Sequence, residues 1–269
     1  LRWNGAAWKS SVTGLPIHVN DLWGASGQDI YVVGDSASGT STALFRFDGA
    51  MWQPVPVAGS AELGLRAIWG AGPQSLFLGT TAGPILHGDG ATWRSTSGPL
   101  ARVSAVWGLS TGEAFAATAK GVLYRDGGTW RPMPGTESFE LSAIWGLGAR
   151  DVYAVGAGGT IIHWDGASWQ KMTSPVTSSL RGIWGSDADH VYAVGQSMTL
   201  LRKNGAAWDR ITLPGDFVPD LNCISGSGSS HILGVGTGGT LVSFDGTAWN
   251  RTALSPYKDL YAVWTSGPA

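Results

Sequence analysis

Residues 141–173 read LSAIWGLGARDVYAVGAGGTIIHWDGASWQKMT and contain four short segments of strand-forming residues. Residues 141–145 are an apolar run that ends in Trp and is followed by Gly, 151–155 alternate around Val and Tyr, 160–164 are rich in β-branched residues, and 168–172 follow an Asp-Gly pair. Asp-Gly between two such runs is a strong hairpin signal, because a type I′ turn needs positive φ at both central residues. The stretch predicts four consecutive antiparallel strands, which we name a, b, c and d.

The same unit recurs along the whole chain and carries two tryptophan marks. The first mark closes strand a, at spacings of 38 to 46 residues: Trp23, Trp69, Trp107, Trp145, Trp184, Ser225 (where the Trp is lost) and Trp264. The second mark opens strand d, four residues after Asp or Asn: Trp8, Trp52, Trp93, Trp130, Trp169, Trp208 and Trp249. A unit of about 40 residues cannot bury its own apolar faces, so such units stack around one continuous core. The sequence predicts a single all-β domain over residues 1–269, a seven-bladed β-propeller of four-stranded repeats.

The seventh blade has to combine both ends of the chain. Strand a lies near residues 261–264 and strands c and d lie in residues 1–10, so we expect the ends to join in one composite blade, which would remove exposed strand edges. Between its two marks this repeat has 11 residues fewer than residues 145–169, and the missing stretch corresponds to strand b. We therefore expect an incomplete closing blade, filled by further residues, a neighbouring chain or a shifted strand.

Composition narrows the class of partner. Charged residues are 13% of the chain and the net charge is -2, which gives no electrostatic reason to expect nucleic acid or an anionic membrane. An apolar run long enough to span a bilayer is not found. The one cysteine, Cys223, lies at a strand a position where other repeats have mostly Ala or Gly, which indicates a small buried thiol.

The sequence shows no catalytic, metal or cofactor constellation. The histidines fall in different repeats with no metal-ligand spacing: His18, His87, His163, His190 and His231. The repeated Asp and Asn residues have a backbone role as turn residues: Asp48, Asp89, Asp126, Asp165, Asp245, Asn4 and Asn204. We predict a protein that is not an enzyme and that has no catalytic residues, metal or cofactor.

Loop lengths indicate which face carries function. The distance from the strand a mark to the central residue of strand b is eight in every full repeat, and the c–d turns are equally uniform. Length varies only in the b–c and d–a connections, which lie on one face of an up-and-down propeller. Examples are residues 35–42, 54–64 and 215–220. Because binding groups concentrate on variable loops held by a rigid scaffold, this face is the predicted functional one, although simple tolerance of drift would give the same pattern.

Polar residues stand at the start of every strand a, three positions before the Trp mark. These ring residues are Asn20, Arg66, Ser104, Ser142, Arg181, Asn222 and Tyr261. Their neighbours are aliphatic or small, so the polarity belongs to the position. With Asp21 they predict a ligand site around one channel mouth, and two arginines without a ring carboxylate beyond Asp21 favour an anionic or polyhydroxylated ligand. The alternative is that these residues satisfy channel water and strand-end backbone groups.

The segments HGDGATW (87–93) and YRDGGTW (124–130) resemble a shortened Asp-box, the hairpin of sialidase-type propellers, with one residue missing between Asp and Gly. The whole layout is similar to tectonin-type and other lectin-like propellers and to Trp-rich repeat arrays of secreted bacterial proteins. This resemblance implies an extracytoplasmic location and glycan binding. The expected function is a non-enzymatic binding or scaffold module for a glycan or protein ligand. The alternatives are an Asp-box-type, sialidase-like glycoside hydrolase, which would need clustered arginines and carboxylates, and a purely structural repeat domain.

Overall fold

The computed structural model describes residues 1–3, 7–9, 15–36, 41–96, 98, 100–109, 112–213, 215, 218–255 and 257–266. These residues form short strands, one four-residue helix and two single 3-10 turns. The strands and the helix are, in chain order, β1 (Arg2–Trp3), β2 (Trp8–Lys9), β3 (Ile17–Ser26), β4 (Asp29–Ser36), β5 (Thr42–Phe47), β6 (Trp52–Val55), α1 (Ser60–Leu63), β7 (Leu65–Gly72), β8 (Ser75–Thr80), β9 (Ile85–Gly88), β10 (Trp93–Thr96), β11 (Val103–Gly108), β12 (Glu113–Thr118), β13 (Gly121–Asp126), β14 (Trp130–Pro132), β15 (Leu141–Gly148), β16 (Asp151–Gly156), β17 (Ile161–Trp164), β18 (Trp169–Lys171), β19 (Leu180–Gly185), β20 (Val191–Gly195), β21 (Thr199–Asn204), β22 (Ala207–Arg210), β23 (Leu221–Gly228), β24 (His231–Gly236), β25 (Thr240–Phe244) and β26 (Trp249–Ala253).

Six antiparallel sheets each take four consecutive strands in the predicted order a-b-c-d. Sheet 1 is β3–β6, sheet 2 is β7–β10, sheet 3 is β11–β14, sheet 4 is β15–β18, sheet 5 is β19–β22 and sheet 6 is β23–β26. In sheet 4, Trp145 stands opposite Tyr153, and Tyr153 stands opposite His163. The strand a of each sheet packs beside the strand a of the next sheet. This arrangement is that of a β-propeller, as the sequence predicts.

The prediction of seven four-stranded blades is wrong for the described residues, which form six such sheets and a two-stranded hairpin, β1–β2. Residues 257–266 belong to no sheet, so the ends do not join in one composite sheet. They lie beside sheet 6, where the Leu260 N–H donates to the Gly236 carbonyl at 3.0 Å. The physical reason is the missing strand b, because without it nothing connects strand a to strand c in the ladder.

A tryptophan-on-glycine contact explains the repeated Trp-Gly pair. Each strand a Trp covers the Gly that follows the Trp mark of the next sheet, so closely that a Cβ at Gly146 would lie 2.8 Å from the Trp107 ring. Any side chain larger than hydrogen would collide there. The same contact recurs as Trp23 on Gly70, Trp69 on Gly108, Trp145 on Gly185, Trp184 on Gly226 and Trp264 on Gly24.

One joint in this circle is different. Thr265 stands where the other repeats have Gly, and Ser225 stands where the other repeats have Trp. The two hydroxyl oxygens, Ser225 Oγ and Thr265 Oγ1, are 3.4 Å apart. Trp264 in turn covers Gly24 of sheet 1. Residues 257–266 therefore take the place of a seventh strand a, between sheets 6 and 1, and close the circle.

Aromatic side chains fill the space between neighbouring sheets. The strand b aromatics are buried, and the strand d Trp of a neighbouring sheet meets them edge-on: Phe77 with Trp130 at 5.8 Å and Tyr153 with Trp208 at 6.4 Å between ring centroids. Trp130 and Trp208 are both 3% exposed. An aromatic side chain buries about 150–250 Å². These contacts therefore supply much of the hydrophobic stabilisation between sheets.

The c–d turns are built differently from the predicted type I′ turn. Trp164 pairs with Trp169, which leaves a four-residue loop, and only Gly166 in it has positive φ. Asp165 Oδ1 accepts hydrogen bonds from the N–H groups of the two residues that follow Gly166, both at 2.8 Å. The side chain therefore replaces the left-handed backbone at Asp that a type I′ turn would need.

Other repeats use the same carboxylate bonding. Asp48 and Asp89 accept equivalent backbone bonds, which lower their pKa values. Asp245 accepts them too, and the Thr247 hydroxyl together with these backbone donors lowers its pKa to about 2. Asp126 instead pairs with Arg131 at 3.6 Å, and Asn204 donates to Asp209 at 2.8 Å. Asn4 lies outside the described residues.

Candidate functional site

Every ring residue of the six sheets sits in a β-bulge. The ladder between strands a and b shifts register across Asn20, Arg66, Ser104, Ser142, Arg181 and Asn222. In a bulge two residues of one strand oppose a single residue of its partner, so one residue leaves the ladder. The bulge therefore gives a physical reason for a polar residue between an aliphatic and a small one.

The first ring cluster joins sheets 1 and 2. The exposed Arg66 donates through Nη1 to Asn20 Oδ1 at 3.1 Å. Asn20 Nδ2 donates to Asp35 Oδ2 at 3.2 Å and to the Leu65 carbonyl at 3.1 Å. Asn20 therefore ties strand a of sheet 1 to strand a of sheet 2.

The second ring cluster joins sheets 5 and 6 to residues 257–266. Arg181 donates through Nη1 to Asn222 Oδ1 at 2.7 Å, and its Nη2 lies 2.9 Å from Asp220 Oδ2. Asn222 Nδ2 donates to the Leu260 carbonyl at 2.9 Å, just as Asn20 Nδ2 donates to the Leu65 carbonyl in the first cluster. The ring itself supplies no carboxylate for Arg181, but the d–a loop does, through Asp220.

The remaining ring residues stay outside these two clusters. Ser104 and Ser142 hold the ring positions of sheets 3 and 4 and are half-buried. Tyr261 is 49% exposed, and its hydroxyl donates to Asp259 Oδ2 at 3.5 Å. The predicted site is thus two hydrogen-bonded clusters separated by the serines, with an aromatic ring open to solvent beside the second cluster.

Asp21 is a half-buried residue next to the ring, and its carboxyl faces backbone donors. Its two oxygens accept hydrogen bonds from Leu22 N at 2.8 Å and from Ile68 N at 2.9 Å. Burial raises the pKa of Asp21 to about 7, against the opposing effect of these N–H donors and of the Arg66 charge. The carboxyl therefore changes charge near neutral pH.

Cys223 has the equivalent strand position in sheet 6. Its sulfur lies 3.8 Å from the Val263 carbonyl, and burial raises the pKa of the thiol to about 12. A thiol that stays protonated is a poor nucleophile, which agrees with the predicted structural role.

The variable loops share a face with the ring. The b–c and d–a loops are bound to each other by backbone hydrogen bonds at equivalent places: Ala119 N to Arg102 O, Ala157 N to Glu140 O and Thr237 N to Asp220 O, each at 3.0 Å. We call this side of the molecule the loop face. Of the three long loops, 54–64 contains α1, residues 37–40 of the first lie outside the described residues, and so do 216 and 217 of the third.

The histidines have packing partners in their own sheets. His163 stacks on Tyr153 with ring centroids 4.3 Å apart and bonds Asp151 at 2.7 Å; His87 stacks on Phe77 at 4.5 Å and bonds Ser75 Oγ at 3.0 Å. Within the described ranges, no group of three or more His, Cys, Asp or Glu side chains could hold a metal ion. A search of the same ranges for a helix with the length and hydrophobicity to cross a membrane also finds none.

Trp164, an additional tryptophan just before the c–d turn, is held by the fold. Its Nε1 donates to the Ala149 carbonyl at 3.1 Å, and its ring packs 5.9 Å from that of Trp169. Trp3 lies 5.8 Å from Trp8 and is 38% exposed.

Two cavities were not foreseen from the sequence. One, of about 490 Å³, lies beside the Ser225–Thr265 joint and is lined by Ala25, Ser26, Gly27, Ser227, Trp264, Thr265 and Ser266. The other, of about 300 Å³, lies between sheets 2 and 3 and is lined chiefly by Pro84, Ile85, Thr96, Leu100, Leu123 and Trp130. We call the second one the Trp130 pocket. It opens on the loop face, because Pro84 belongs to a b–c loop and Leu100 to a d–a loop.

The Trp130 pocket contains one of the two strand d indole nitrogens that are buried without a partner in the described residues; the other is Trp93 Nε1. The Trp130 indole Nε1 is buried and has no hydrogen-bond partner. A buried donor without a partner costs about 1–3 kcal/mol. The missing partner can be traced in the sequence to the position three residues after the strand d Trp of each sheet. This position is Met133 in sheet 3 and Met172 in sheet 4, but Thr96 in sheet 2.

No family model and no curated protein matches this chain. Solved structures do match it. "YCF48 bound to D1 peptide" has TM-score 0.72 at 13% identity, covering 91% of this chain and 86% of that one. YCF48 from Cyanidioschyzon merolae has TM-score 0.72 at 14% identity, covering 95% and 92%. The WD40 β-propeller domain of Doa1 has TM-score 0.72 at 13% identity, covering 93% and 86%. At such low identity the similarity shows the fold alone, and the fold is an all-β propeller.

Proposed function

We propose that this chain is a non-enzymatic binding module that holds an extended polypeptide segment on its loop face, over the ring residues. The observation that carries the proposal is the bulge at the start of strand a in all six sheets, which takes one polar residue out of the ladder on the face where loop length varies. Bulges that re-aim side chains are over-represented beside functional sites.

The bonding within the ring favours a polypeptide over an anionic ligand. Arg181 already has the carboxylate of Asp220, and Arg66 is bonded to Asn20, which also reaches Asp35. The charge of Arg181 is therefore balanced within the protein, and the charge of Arg66 acts on the nearby Asp21 carboxyl. What remains is a set of amide and guanidinium groups that match the alternating donors and acceptors of an extended backbone. A similarly folded structure, YCF48 bound to D1 peptide, has a peptide ligand.

The extracytoplasmic location is part of the same proposal. It rests on the resemblance to Trp-rich repeats of secreted bacterial proteins and is tested separately, by fractionating cells that make the natural polypeptide. Recovery of the protein with cytoplasmic markers would contradict it.

A short random-peptide display library, selected on the unaltered protein, tests the binding proposal. Selected peptides should bind a variant with Arg66→Ala and Arg181→Ala at least about tenfold more weakly, equivalent to about 1.4 kcal/mol. The control is Arg150→Ala, an exposed arginine in an a–b turn on the opposite face. Unchanged binding to the double variant, or binding on a glycan array with no selected peptide, would contradict the proposal. Thermal melts of each variant establish that it is folded.

A further inference from the structure

A methionine sulfur accepts the strand d indole N–H at two of the joints between sheets. Trp169 Nε1 donates to Met133 Sδ at 3.1 Å, and Trp208 Nε1 donates to Met172 Sδ at 3.4 Å. Each methionine belongs to the preceding sheet and lies three residues after the strand d Trp of that sheet. These joints therefore show which group satisfies an indole at this place.

Thr96 takes the place of the methionine at the joint between sheets 2 and 3. Like Met133 and Met172, it stands beside the start of strand c, but its hydroxyl donates to the Ile85 carbonyl at 2.5 Å. The shorter side chain does not reach the next sheet. Trp130 is 3% exposed and its indole N–H has no partner, while Thr96 and Trp130 both line the pocket of about 300 Å³. The equivalent indoles point at the methionine position, which at this joint is Thr96, on the lining of the same pocket.

We propose that the Trp130 pocket takes a methionine side chain from a bound polypeptide, with its sulfur as acceptor for the Trp130 indole N–H. This inference rests on the proposed function and names the anchor residue of its ligand. The pocket is at the small end of the usual range of roughly 300–1,000 Å³, which suits one side chain.

The walls and the rim fit the same occupant. Ile85, Leu123 and Pro84 give apolar walls, and the donor on Trp130 stands among them. An unbranched, polarizable thioether fills an irregular apolar gap and contacts aromatic rings favourably. Leu100, at the rim, is 71% exposed and would be covered by the main chain that carries the methionine.

The probe is a five-residue peptide, acetyl-Gly-Gly-Met-Gly-Gly-amide, with a second peptide in which norleucine replaces Met. Norleucine has nearly the same shape but no sulfur acceptor. The readout is the indole N–H resonance of Trp130 in protein labelled with ¹⁵N-tryptophan, assigned with Trp130→Phe. We expect the methionine peptide to shift this resonance saturably at millimolar concentration and the norleucine peptide to bind at least about threefold more weakly.

Thr96→Met supplies the internal control. It should fill the pocket from within, move the Trp130 resonance without any peptide and abolish the response to the peptide. Thr252→Met makes the same change at the equivalent position of sheet 6 and should leave the response unchanged. No saturable shift at Trp130, an equal response to norleucine, or a response that survives Thr96→Met would each overturn the inference.

The two proposals fail separately. Display-selected peptides that need Arg66 and Arg181 but bind equally well to Thr96→Met would refute the methionine anchor and leave the binding module standing. Binding of the methionine peptide at Trp130 with no effect of the arginines would place the ligand on the loop face but remove the ring from it, against the proposed function.

Discussion

Replacing Ser225 with Trp and Thr265 with Gly should convert the one exceptional joint into a seventh tryptophan-on-glycine contact. Either change alone should destabilise. Trp at 225 would meet the side chain of Thr265 where the other joints leave no room for a Cβ, at 2.4–3.0 Å from the covering ring, and overpacking costs about 1–3 kcal/mol. Gly at 265 loses the contact with Ser225 and costs about 0.5–1 kcal/mol in chain entropy.

Together the two changes should compensate each other. A buried indole covers about 150–250 Å². At about 25 cal/mol per Å² this gives roughly 4–6 kcal/mol, and about half of it applies because the strand a tryptophans are only partly buried. The cavity of about 490 Å³ beside Thr265 provides room for the ring. Ser225→Trp should therefore stabilise by about 2–3 kcal/mol when residue 265 is Gly and destabilise by about 1–3 kcal/mol when it is Thr, which is a coupling energy of about 3–6 kcal/mol in favour of the double variant.

Urea unfolding of the unaltered protein, both single variants and the double variant measures this coupling as a double-mutant cycle. In a domain of this size 1 kcal/mol corresponds to roughly 2–4 °C in Tm, so thermal melts provide a second measurement. Additive effects, with a coupling within about 0.5 kcal/mol of zero, would refute the argument that the two residues substitute jointly for Trp and Gly.

Two further predictions concern a buried carboxyl and a glycine. Because burial raises the pKa of Asp21 to about 7 in the folded chain, the folded state binds more protons than the unfolded state between about pH 4 and 7, and the free energy of unfolding should fall as pH rises through that window. Asp21→Asn should lose this dependence, and a stability difference between variant and parent that is the same at every pH from about 4 to 8 would contradict it. Gly146→Ala should cost about 1–3 kcal/mol, because the new Cβ lies 2.7 Å from the Asp151 carbonyl oxygen and 2.8 Å from the Trp107 ring, whereas Gly148→Ala two residues along the same strand, with nothing within 4 Å of its Cβ, should cost under about 0.5 kcal/mol. Equal losses in urea unfolding would show that these close contacts do not set the cost at 146.

The repeat could be read from the sequence because its marks are steric requirements. Trp107 and Gly146 recur at a fixed offset since one covers the other, and the strand order follows from the same period. The prediction of a type I′ turn was wrong because the sequence pattern does not show that the Asp165 carboxylate accepts hydrogen bonds from two backbone N–H groups. The bulge at Arg66 could not be predicted either, because the alternating side-chain pattern of a strand assumes that every residue stays in the ladder.

The candidate site could be predicted only in part, for a related reason. The polarity of Arg181 is positional and visible in the repeat, but its partner Asp220 comes from a d–a loop, where no period applies. The Trp130 pocket depends on Thr96 facing the next sheet, a relation between sheets that offsets within one repeat do not contain. Periodic positions were therefore predictable, whereas contacts that join a periodic residue to an aperiodic one were not.

The tryptophan-on-glycine joints all point the same way around the circle, each Trp onto the Gly of the next sheet. Such a contact is heterologous, like the head-to-tail interface of a cyclic oligomer, which forms a closed ring only when the rotation per unit divides the full turn. Six joints are chemically interchangeable, so they specify neither the number of units nor which unit follows which. The Ser225–Thr265 joint is the exception, because a tryptophan cannot cover Thr265. It therefore makes one position in the circle chemically distinct from the others, and this position fixes where the series of otherwise equivalent interfaces begins and ends.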